Sequence, residues 1–95
     1  MKIIYIENTF INVDNITALQ VVDELNNKVK IICEGPKWCS YHHIDDAAPN
    51  EVITAIKRCL DSNNKIEDLI LEIRAYQREL EERRARIDAS LRSYI

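Results

Sequence analysis

From Asn64 to Ile95 the sequence holds neither glycine nor proline, and this unbroken stretch limits the possible folds more than any other feature. Asn64 with Glu67 three residues on has the spacing of a capping box, which predicts a long C-terminal helix over 64–95. About 28 residues of helix rise roughly 42 Å. A body made from the first 60 residues is only about 27 Å across, since its radius of gyration is near ~10 Å. The helix is therefore expected to outrun the body it grows from.

That helix carries a narrow apolar seam. Ile66, Ile73, Leu80, Ile87 and Tyr94 fall seven apart, and Leu69 and Tyr76 fill the companion positions. Arg83 and Ser90 then interrupt the companion row. Between the apolar positions, Glu79 with Arg83, Glu82 with Arg86 and Asp88 with Arg92 have the spacing of helix-surface ion pairs. A helix polar enough for water that keeps one apolar seam suits contact with another helix, as in a coiled coil. The interface candidates are Ile66, Leu69, Ile73, Tyr76, Leu80, Arg83, Ile87, Leu91 and Tyr94. A homodimer or higher oligomer of the chain is the simplest expectation.

The first 60 residues have a different texture. Short runs rich in Ile, Val, Thr and aromatics predict strands over about 2–6, 10–13, 16–23, 28–33 and 38–44. A helix over about 47–60 follows, with Pro49 in its first turn and Val52, Ile53, Ile56, Cys59 and Leu60 as its apolar stripe. The fold class expected is α+β. Four or five antiparallel strands form a meander in residues 1–60, one helix covers it, and the long helix follows. In the strand over 28–33, Val29, Ile31 and Cys33 share one face. Ile16, Ala18 and Val22 are expected beside them, with Gln20 on the same side.

The stretch CEGPKWCSYHHIDD, residues 33–46, is the densest in chemical groups. Cys33, Cys39 and His43 are the candidate metal ligands, and they converge only if the hairpin loop has an odd number of residues. A loop of even length puts Trp38, Ser40, His42 and Ile44 on the face of Cys33 and turns Cys39 and His43 away. The paired Cys and His spacings of zinc sites are missing, so neither metal nor other cofactor is expected. Trp38, Tyr41, His42 and His43 remain a possible ligand or partner patch. No Gly-rich phosphate loop or oxyanion-hole motif occurs, and no catalytic residues are assigned. The chain is not expected to be an enzyme.

Sixteen acidic residues against thirteen basic ones give a net charge of −3, which is no footprint for nucleic acid. The cluster Arg83, Arg84 and Arg86 is the one segment that could touch phosphate, and Glu79, Glu81 and Glu82 offset its field. Three cysteines suggest free thiols in a reducing cytoplasm. Glu7 and Asn8 interrupt any secretion-signal core, and no apolar run reaches the roughly 18 residues of a membrane span.

FINVDNITALQVV, KVKII and EVITAIKRCL resemble, in pattern and length, the small flagellar FlbD-type family over residues 1–60. The resemblance implies a strand meander followed by one helix. The GPKWCSYHH hairpin and the last helix depart from it. The function expected is that of a small cytoplasmic protein that self-associates and binds a protein partner as a regulator or inhibitor. A phage or mobile-element inhibitor of the anti-CRISPR type fits the size. Two other readings are a small-ligand or metal-binding regulator using Cys33, Cys39, His42 and His43, and a nucleic-acid-associated regulator using Arg83–Arg86.

Overall fold

A computed structural model describes residues 2–92 and shows an α+β chain. Strands β1 (Ile3–Ile6) and β2 (Thr9–Asn12) form a hairpin. Its two-residue turn, Glu7–Asn8, has φ of 45° and 66°, the left-handed pair whose twist matches the flanking strands. β3 (Ile16–Asp23), β4 (Lys28–Gly35) and β5 (Trp38–Ile44) follow, then helix α1 (Pro49–Asp61), strand β6 (Ile66–Asp68) and helix α2 (Leu69–Arg92).

The strands do not make one meander. They form two three-stranded sheets, ordered β2-β1-β6 and β3-β4-β5. The break falls at Val13–Asn15, where a 3-10 turn capped by the Asn12 side chain on the Asp14 amide separates β2 from β3. β6 adds to β1 in parallel, with Ile3 opposite Ile66. The Lys2 ammonium donates to the Ser62 and Asn64 carbonyls, which draws the incoming chain against β1.

The long helix therefore starts later than its sequence suggests. Asn64 and Glu67 do bond, but ahead of the helix: Glu67, on β6, accepts from the Asn64 side-chain amide and the Ser62 hydroxyl. These bonds hold its carboxyl below the ordinary range, the Ser62 bond contributing most. The helix N-cap is Asp68, whose carboxylate accepts from the Leu71 amide at 3.2 Å.

Two bulges in β3 correct its expected faces. Ile16 lies opposite Cys33, but the register shifts before Ala18, and Leu19 and Val21 then stand opposite Ile31 and Val29. The extra residue moves Ala18 and Gln20 to the outer face, so no polar side chain is forced inward. A second shift after Val21 sets Asp23 opposite Lys28.

One core joins all parts. Ile4, Ile6 and Ile11 come from the first sheet, and Val29, Ile31, Cys33 and Ile44 from the second. α1 contributes Val52, Ala55 and Cys59, and α2 contributes Leu69 and Ile73. The buried stripe of α1 is rotated from the expected one: Ile56 is half-buried, while Ile53 and Leu60 are exposed. α1 begins with Pro49, and Glu51 accepts from the Ala48 amide at 2.8 Å, so an acidic side chain satisfies an orphan donor at the positive end of the helix.

Candidate functional site

α2 leaves the body part-way along its length. The described residues extend 62 × 33 × 19 Å, and their radius of gyration is 15.9 Å, against about 12 Å for a compact chain of this length. The first half is anchored on three sides. Leu69 and Ile73 are buried, and Tyr76 and Leu80 are half-buried. The Arg58 guanidinium of α1 donates to both carboxylate oxygens of Glu79, at 3.1 and 2.6 Å, and stacks 4.8 Å from the centre of the Tyr76 ring. Arg74 donates to the carbonyls of Asp45 and Asp46, and Gln77 to the Asp46 carbonyl and the Glu51 carboxylate. Glu79 thus turns to α1 rather than to Arg83.

From Glu81 to Arg92 every residue is exposed. The seam nevertheless continues: Ile87 is 59% and Leu91 60% exposed, in line with Leu69, Ile73, Tyr76 and Leu80. Arg83 interrupts it. Arg86 lies 3.9 Å from Glu82, one turn back, on the polar flank. Of the other interface candidates, Ile66 sits on β6 and not on the helix, and Tyr94 lies outside the described residues.

The hairpin stretch has a loop of even length, Pro36–Lys37, with Gly35 paired to Trp38 and Cys33 to Ser40. Cys33 and His42 are therefore inside, and Cys39 and His43 are outside. The three candidate ligands Cys33, Cys39 and His43 are parted by the sheet. Among the described residues no group of three His, Cys, Asp or Glu side chains is placed to hold a metal ion. Burial pushes the Cys33 thiol above its ordinary range. His42 Nε2 lies 3.0 Å from Ser40 Oγ, which partners a buried imidazole along its own strand. Trp38 lies flat on Gly35, where an added Cβ would stand 1.9 Å from the indole nitrogen. Tyr41 projects from the outer face with the Lys30 ammonium 5.0 Å above its ring.

A second apolar surface escaped the sequence. Tyr5 and Phe10 pack at 4.9 Å on the outer face of the first sheet, beside Ile66. With Asn8 and Asp68 they line a concavity of about 500 Å³. Its signal was hidden because Ile66 fits the helical seven-residue repeat while standing on a strand. No helix among the described residues is long and apolar enough to cross a membrane.

No protein-family model matches the chain, and neither does any curated protein or solved structure. The likeness of residues 1–60 to the flagellar FlbD-type family thus stays one of pattern and length.

Proposed function

We propose that the chain is a non-catalytic binding protein that pairs with a second copy through the projecting half of α2 and engages a protein partner as a regulator or inhibitor. The supporting observation is the continued seam: among the described residues nothing of the same chain covers the exposed faces of Ile87 and Leu91. The charges favour an antiparallel pair with Ile87 on the two-fold axis. A parallel pair would set Arg83 against Arg83. The antiparallel one lays Leu91 along the aliphatic stem of Arg83 of the second copy and brings Arg84 near Asp88 of that copy, twice over by symmetry. The seam is about 18 Å long for twelve residues. Three turns of helix cover less than the roughly 1,600 Å² of a standard interface, so pairing depends on concentration.

A projecting helix on a small rigid body presents surface without enclosing a substrate. That suits a protein that acts by occupying another protein's surface, as an inhibitor of the anti-CRISPR type does. Light scattering over a hundredfold range of concentration tests the helix seam. Leu91→Asp is expected to lower the particle mass at high concentration. A mass unchanged by both Leu91→Asp and Ile87→Asp rejects the pairing.

A further inference from the structure

The two sheets offer four strand edges, and three of them are blunted. β2 and β6 are only four and three residues long. β3 is longer, but its two register shifts break the row of backbone groups. Short edges and bulges are the usual means by which a sheet avoids adding strands. β5 has neither. Its seven residues pair with β4 in unbroken register, and among the described residues it pairs with no other strand. WCSYHHI contains no Lys, Arg, Asp, Glu or Pro. The two-residue loop makes Gly35–Trp38 a hydrogen-bonded pair, so alternation turns the backbone groups of Cys39, Tyr41 and His43 outward.

We infer that β5 is a second self-association edge, which pairs antiparallel with β5 of another copy about a two-fold axis through Tyr41. In that register Trp38 meets Ile44, Cys39 meets His43 and Ser40 meets His42, so the whole strand is used at both ends. Apolar residues meet apolar ones, and no like charges are opposed because the strand carries none. The product is a six-stranded sheet ordered β3-β4-β5-β5-β4-β3. Its outer edges are the bulged β3 strands, so the sheet itself ends at six strands. A second copy thus fits this edge better than an unrelated strand, whose own far edge would stay open.

The edge and the helix seam are independent interfaces, and sedimentation velocity separates them. The wild-type chain at high concentration is expected to exceed a dimer. Leu91→Asp should leave a β5-paired dimer, Tyr41→Pro a helix-paired dimer, and the double variant a monomer. Proline at 41 removes an outward N–H and spares the bonds to β4. Tyr41→Lys, which opposes like charges on the axis without touching the backbone, guards against misfolding. Amide exchange at Cys39, Tyr41 and His43 should slow as the Leu91→Asp protein is concentrated. A Leu91→Asp protein that stays monomeric, with those amides exchanging at one rate throughout, overturns the β5 edge and leaves the helix seam standing. A Leu91→Asp mass equal to wild type, with Tyr41→Pro monomeric, keeps the edge and removes the seam.

Discussion

The two halves of α2 carry the same apolar stripe and meet different fates. Over Leu69–Leu80 the stripe is covered by α1 and the first sheet, and its flanks are tied to the body by Arg58 reaching in to Glu79 and by Arg74 of α2 reaching out to the Asp46 carbonyl. Over Glu81–Arg92 the same stripe faces water. One periodic pattern thus serves intramolecular packing where the body reaches and, on the pairing proposed above, contact with a second copy where it does not. The period alone could not tell them apart, because it records which side of a helix is apolar and not what lies against that side.

Truncation should separate the halves most sharply. Ile73 is fully buried between α1 and the first sheet, so Ile73→Ala leaves a cavity and is expected to destabilise the chain by about 2–5 kcal/mol. Ile87→Ala at low concentration should fall within about 0.5 kcal/mol of wild type, as surface changes do. Urea unfolding of both variants at micromolar concentration checks this. An equal loss at the two positions would mean that the outer half also packs on its own body, and would end the case for pairing through it.

Much of the element order was legible because it rests on local rules. All five strands of the first 44 residues stand within two residues of their expected bounds, since alternation and turn residues are read from neighbours. What failed was non-local. The 3-10 turn at Val13–Asn15 that splits the meander has no strong sequence mark, and the bulge before Ala18 shows only as the misfit of Gln20. β6 was hidden because Ile66 suits a helix seam and Asn64–Glu67 suits a cap. Only contact with β1, sixty residues away, decides for a strand. At the hairpin, parity was the whole question, and the turn geometry at Pro36–Lys37 answered it.

The grip of Arg58 on Glu79 gives a smaller, pH-dependent contrast. The hydrogen bond from Arg58 holds the Glu79 carboxyl below the ordinary 4.5. A carboxylate whose folded value is depressed contributes stability that is fully present above its unfolded value and is lost as pH falls through the folded one. Arg58→Gln should therefore lower the urea midpoint at pH 7, and its gap from wild type should close below about pH 4.5. Glu67 titrates with the same sign but is bonded to Ser62 and Asn64, so it adds equally to both proteins and cancels from the gap. A gap that persists unchanged at pH 3 would assign the role of Arg58 to its stacking on Tyr76 instead.

Thiol labelling gives the finest test of the anchored half. Cys59 lies in the core with Leu69 and Ile73, and burial pushes its thiol up to about 11, with Glu72 adding to the shift. Cys39 is exposed. At pH 8 a disulfide reagent should therefore take up Cys39 at once and Cys59 only through opening of α2, since the thiolate is the reacting form. Cys33, buried under the second sheet, serves as the internal reference for global unfolding. Ile87→Asp should leave the Cys59 rate unchanged, whereas Ile73→Ala should raise it. If the Cys59 rate rises while that of Cys33 does not, the anchored half of α2 peels away from an otherwise folded body. If the two rates rise together, α2 and both sheets open as one unit, which is what a core shared between them predicts.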